Sequence, residues 1–171
     1  MTRDQKIVAV GAASGILSML AALFLLTPLM PALSSLTGAG ERLAFAAKWI
    51  AVAAAPLFFA VAAVGNARFG SEAIDPTLGK ESRTMIIDGR VADNSVQQFL
   101  LFAAAALAVA AAARGDELGI VAAAAIVFVF ARAAFWIGYR RNPLFRAPGM
   151  AATSYLNVVL FGVAIWMSWR G

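Results

Sequence analysis

Two short polar stripes interrupt an otherwise apolar chain, and their residue types suit the recognition of an anion. The first is Arg90, Asn94 and Gln97, spaced by four and then three, so that one helix face carries all three. The second is Arg132, Phe135 and Tyr139, spaced by three and then four, with the basic Arg140, Arg141 and Arg146 just behind it. A guanidinium offers a fork of donors matched to a carboxylate. A carboxamide offers both a donor and an acceptor to a peptide group, and a phenol donates to a thiolate or a carboxylate. The chain has no cysteine and no histidine. It therefore lacks a thiol nucleophile, a thiolate or imidazole metal ligand and the commonest general base, and no metal site is expected. Its chemistry must rest on arginine, tyrosine, amides, carboxylates or a cofactor.

The elements that must position these stripes are membrane helices. Of 171 residues, 62% are hydrophobic and 13% charged, against about 45–50% apolar residues in soluble domains. Five apolar runs, 7–33, 43–65, 95–113, 118–139 and 147–169, meet the length of roughly 18 residues or more that a transmembrane helix needs. The first has a basic head but is too long for the apolar core of a cleaved signal peptide, so it is read as a retained helix. Pro28 and Pro31 sit at its exit. Pro56 falls in the middle of the second run, where membrane helices tolerate a freed carbonyl that neighbours re-satisfy. Residues 66–93 read as one long polar loop. The tight joint Arg114-Gly115-Asp116-Glu117 makes the third and fourth helices antiparallel neighbours. Alanine runs at 103–106 and 122–125 let helices approach closely. The expected fold is all-α, a polytopic transmembrane helix bundle.

In such a protein the net charge of +5 reports topology before it reports partners, and no nucleic acid is implied. With five spans and the N-terminus inside, the inner segments would hold Arg3, Lys6, Arg68, Lys80, Arg83, Arg90, Arg140, Arg141 and Arg146; the outer ones would hold Arg42, Lys48, Arg114 and Arg170. The asymmetry favours a cytoplasmic N-terminus and an external C-terminus, with a bacterial inner membrane as the expected location. Both polar stripes then fall at the cytoplasmic face. Arg132, late in an apolar span, is by default a functional residue; a structural ion pair or a snorkelling side chain is the alternative.

The pattern Arg90-(three residues)-Asn94-(two residues)-Gln97, followed by Arg132, Tyr139 and the turn Arg146-Ala147-Pro148, resembles the MAPEG family, the membrane-associated proteins in eicosanoid and glutathione metabolism. The resemblance covers about 43–169, the last four spans. It implies two parts, an extra N-terminal transmembrane helix and turn at 1–42 and a MAPEG-like four-helix membrane domain at 43–171. It also implies a homotrimer with glutathione as co-substrate, held between subunits near the cytoplasmic face, and a lipophilic electrophile from the bilayer as the second substrate. Carried over by position, Arg90, Asn94, Gln97 and Tyr139 would contact glutathione, Arg132 would lie beneath it and Arg68 would meet one of its carboxylates. Tyr139 and Arg146 would stabilise the thiolate, with the sulfur supplied by the substrate. Three departures stand out. Gln97 occupies the place of a common Glu. Met150 falls where eicosanoid-synthesising members carry their thiolate-activating Arg, leaving Arg146 as the nearest substitute. The helix in 7–33 lies outside the four-span pattern. The expected function is a membrane-embedded glutathione-dependent transferase or peroxidase. The alternatives are a non-catalytic MAPEG-like scaffold or binding protein, and a small transporter lined by Asn94, Gln97 and Arg132.

Overall fold

The computed structural model describes residues 1–30 and 33–170; Pro31, one of the two expected exit prolines, lies outside them. The described residues are helical, with no strand among them. Five helical stretches are long and apolar enough to cross a membrane, and the protein is an integral membrane protein. The helices are α1 (Arg3–Leu26), α2 (Ala39–Ala53), α3 (Ala55–Phe69), α4 (Arg83–Ala112), α5 (Gly119–Arg141) and α6 (Ala147–Trp169), with α2 and α3 sharing one span.

Local chemistry sets the boundaries. Thr2 and Gln5 cap α1 reciprocally, side chain to backbone in both directions. The helix ends at Leu26 rather than near Leu33, and a short 3-10 turn around Pro28 follows. The second span starts at Ala39 and is broken at Ala54, two residues before Pro56. Proline has no amide proton to give the carbonyl four residues back, and its ring crowds that turn.

The largest departure from expectation concerns residues 66–93. They are not one loop: α4 begins at Arg83, twelve residues before the expected start at Ser95. The Ser82 hydroxyl accepts from the Met85 amide and opens the helix. Charged side chains hid this helix from a hydropathy reading. The remaining loop is closed locally by Arg68 donating to Glu81, Lys80 to Glu72, and the Thr77 hydroxyl and amide to Asp75. The Thr77 hydrogen bonds hold the Asp75 carboxyl below the usual carboxylate range.

The core lies where α4, α5 and α6 meet, with α1 and α2 packed against it. On α4 the buried positions Asp88, Val91, Ser95, Gln98, Phe102, Ala105 and Val109 alternate steps of three and four. On α5, Val121, Ala125, Phe128, Arg132, Phe135 and Tyr139 do the same, as helices that keep one face together require. The rings of Phe102 and Phe128 meet at 4.8 Å between centroids. Pairings further along run backwards on α5 as they run forwards on α4, so the two helices are antiparallel, as their tight joint requires. Two glycines bring α6 against its neighbours. A Cβ on Gly149 would sit 2.4 Å from the Ala131 carbonyl oxygen and 2.3 Å from the Phe135 amide nitrogen. One on Gly15 would sit 2.1 Å from the Pro148 carbonyl oxygen, so α1 crosses the start of α6 almost backbone to backbone. The extra helix is thus docked on α6 and α5, away from α3.

Candidate functional site

One membrane end collects the start of α1, the end of α3, the starts of α4 and α6 and the end of α5. Here α4 and α5 are joined by polar contacts instead of apolar ones. Asp88, 2% exposed, receives two bonds from Arg140, at 2.8 and 2.6 Å, and one from the Trp136 indole at 2.7 Å. About two turns further in, Arg132 donates to the Asn94 side-chain oxygen at 2.9 Å and to the Ser95 hydroxyl at 2.7 Å. Its guanidinium lies 4.0 Å from the centre of the Phe135 ring, an arrangement in which the ring's negative face meets the cation. Deeper still, Asn157 of α6 donates to both the backbone and side-chain oxygens of Gln98.

Arg132 is the anomaly of this end. It is 1% exposed, its Nε has no partner, and no carboxylate among the described residues pairs with it. A charge taken out of water is costly unless an opposite charge compensates it. Its two acceptors are neutral, so the field of the guanidinium is left to act on whatever lies beside Asn94 and Phe135.

What lies there is a cavity of about 390 Å³, lined by Arg90, Asn94, Phe135, Tyr139, Arg146 and Met150. Both stripes contribute to it: Arg90 and Asn94 from α4, Phe135 and Tyr139 from α5. The third wall comes from the turn into α6. Asn142 caps that turn by accepting from the Leu144 amide, and Pro143–Arg146 form a 3-10 segment. A Cβ on Gly138 would sit 2.2 Å from the Phe145 carbonyl oxygen, so only glycine lets the turn fold back this tightly on α5. The fold-back carries Arg146 over Tyr139. Its guanidinium donates to the phenolic oxygen at 3.0 Å and lies 4.9 Å from the ring centre. The lining therefore holds two guanidiniums, a carboxamide and a phenol, with a third guanidinium behind it and no acid within it. Such a chamber favours an anion that also has hydrogen-bonding groups.

The structure brings together Arg90, Asn94, Tyr139 and Arg146, places Arg132 directly beneath Asn94, and puts Met150 in the lining. Gln97 is exposed on α4 and does not line the cavity; Arg68 is held by Glu81 in the loop after α3 and does not line it either. Sequence reasoning missed Asp88, Ser95, Gln98 and Asn157. For the three on α4 the signal was present: with Phe102 and Val109 they continue a three-four spacing backwards from the apolar run into the polar stretch. Asn157 is a lone amide in an apolar span, itself a reason to seek a buried partner.

The MAPEG family model matches residues 46–166, from the middle of α2 to near the end of α6. No curated protein and no solved structure matches the chain. The match takes in every residue that lines the cavity and leaves α1 outside it, and on it the chain belongs to the MAPEG family, membrane proteins of eicosanoid and glutathione metabolism.

Proposed function

We propose that the chain is a glutathione-dependent transferase or peroxidase that acts on lipophilic electrophiles from the bilayer. The observation that carries this reading is the buried Arg132 without a counter-ion, set beneath a cavity lined by Arg90, Tyr139 and Arg146 and free of carboxylates. Glutathione is a small peptide with two carboxylates and a thiol. Arg90 would hold a carboxylate through its donor fork, and Asn94 would meet a peptide group. Tyr139, with Arg146 donating to its oxygen, is a phenol whose proton is free to point at a thiolate. The thiol would lose its proton to water. The sulfur would then attack the electrophilic carbon, and the electrons would leave on a group that takes up a proton from solvent. Stabilising the thiolate by nearby positive charge raises its population at neutral pH.

The active form would be a homotrimer, consistent with Gln97, which lies exposed on α4 about 21 Å along the helix from its start and needs a polar partner at that depth. We place the N-terminus in the cytoplasm and the chain in a bacterial inner membrane, on the asymmetry of basic residues.

A second reading has its own observation. Met150 lines the cavity where a thiolate-activating Arg would stand, and Arg146 is engaged with Tyr139. On that reading the site binds an anion without activating it, and the chain is a membrane scaffold or binding protein.

Isothermal titration of glutathione into the detergent-solubilised protein separates the two, together with conjugation assays on an apolar electrophile. Arg90→Ala and Tyr139→Phe should each weaken binding roughly ten- to hundredfold, about 1.5–3 kcal/mol for a bond to a charged group, with oligomer size unchanged by native mass spectrometry. Binding without turnover selects the scaffold. Absence of any glutathione affinity in the wild-type protein, with the variants changing only thermal stability, makes the stripes structural and leaves the scaffold in place of the enzyme.

A further inference from the structure

Outside the family domain, α1 lies across the outer faces of α5 and α6 and leaves a groove on its α5 side. Two cavities follow one another along it and meet at Pro148. The one at the membrane end where α1 begins, about 450 Å³, is lined by Lys6, Ile7, Val10, Leu144, Phe145 and Pro148, among others. The next, about 460 Å³, runs deeper between Ser18 and Ala22 of α1 and Phe130 and Ala134 of α5. Among the described residues, Lys6 is the only charged one in either lining. No carboxylate among the described residues pairs with it. The polar groups of the deeper wall are small hydroxyls, and that of Ser14 is satisfied within α1, donating to the Gly11 carbonyl at 2.8 Å.

We propose that this groove is a binding site for one acidic phospholipid, its phosphate at Lys6 and one acyl chain along α1. Charge and length both favour this occupant. A lysine at a membrane surface is placed for a phosphate, and its apolar stem continues into the groove wall. A single leaflet needs an apolar track of about 15 Å, half of a hydrocarbon core of roughly 30 Å. Ten residues of α1 supply that rise, and the track from Lys6 to Ser18 exceeds it. A detached apolar substrate would fit the deeper chamber but would leave Lys6 without an anion. The Gly15 crossing on Pro148 holds the groove in shape, because a side chain there would push α1 off α6.

The test is native mass spectrometry of the full chain released from vesicles of phosphatidylglycerol and phosphatidylcholine with matched chains. Wild-type protein should retain one phosphatidylglycerol per chain in preference to phosphatidylcholine. Lys6→Glu should reduce that preference about fivefold or more, the factor expected for one basic residue at a membrane surface. Ala134→Phe, which fills the deeper chamber, should lower retention of both lipids while oligomer size and thermal midpoint hold. Arg83→Glu alters an exposed cation at the same membrane end but off the groove, and should leave retention unchanged. Equal loss in Lys6→Glu and Arg83→Glu would mean diffuse attraction and would overturn the site. So would lipid retention indifferent to Ala134→Phe, or a groove that takes up an uncharged apolar probe as readily in Lys6→Glu as in wild type while showing no preference for phosphatidylglycerol.

Discussion

Replacing Arg132 with methionine keeps most of the side chain's length and removes its charge. Because that charge is buried without a counter-ion, the ligand-free protein should lose no stability and can gain some. Glutathione should no longer raise the thermal midpoint. A fall in midpoint with the glutathione shift intact would show that Arg132 is a structural residue. Arg146 is separable, since it touches Tyr139 from the exposed side of the cavity. Arg146→Ala should lower kcat about tenfold or more with a smaller change in KM, the pattern of an interaction made mainly in the transition state; an equal loss confined to KM would make it a binding residue only. At this scale the sequence was legible where polar residues repeat at helical spacing: Arg90, Asn94, Tyr139 and Arg146 line one cavity. It was not legible where two neighbours compete for a face. Gln97 follows Asn94 at the right spacing, yet Gln98 is the buried one, because the α4 seam runs through Ser95, Gln98 and Phe102.

Among the elements, α4 explains most of what hydropathy failed to show. Its first turns carry Arg83, Asp88, Arg90 and Asp93, and charge of that density reads as loop. A helix forms there because Ser82 caps it and because Asp88 has Arg140 and Trp136 waiting on α5. Asp88→Asn keeps the shape but offers one acceptor oxygen and no charge to three donor groups. It should cost about 1–3 kcal/mol, seen as a lower thermal midpoint, and should loosen the end of α5 that carries Tyr139, so glutathione affinity falls with it. Asp93→Asn, on an exposed face of the same helix, should change neither. A neutral Asp88→Asn would mean that apolar packing alone sets the α4–α5 register. The boundaries of α5 and α6, by contrast, were readable to within two residues, since a Gly-Asp-Glu joint and a proline-bounded basic turn leave little choice of where the chain reverses.

For the whole molecule, five crossings would put the two ends of the chain on opposite sides of the bilayer. Reporters active on one side only, fused before Thr2 and after Arg170, should give opposite signals, with the N-terminal one cytoplasmic. Matching signals would rule out the five-span arrangement. The span that breaks at Ala54 bears on the membrane itself. Each of its halves is tied near a different surface. Arg42 holds α2 to the carbonyls of Ala110 and Ala111 at the far end of α4, and Arg68 holds α3 to Glu81 before its start. Between those anchors there is a joint, and the buried residues of the two halves are only Ala46, Ala53 and Ala60. A bilayer thicker or thinner than the bundle exerts a mismatch force that helices relieve by tilting or bending. Here the bend is already cut, in the span with least to lose. Spin labels flanking Ala54 should change separation between short- and long-chain lipids, while labels across α4 and α5 keep theirs. Bilayer thickness would then be a variable that this protein absorbs at a single peptide unit, leaving the cavity beside Arg132 the same size in thin and thick membranes.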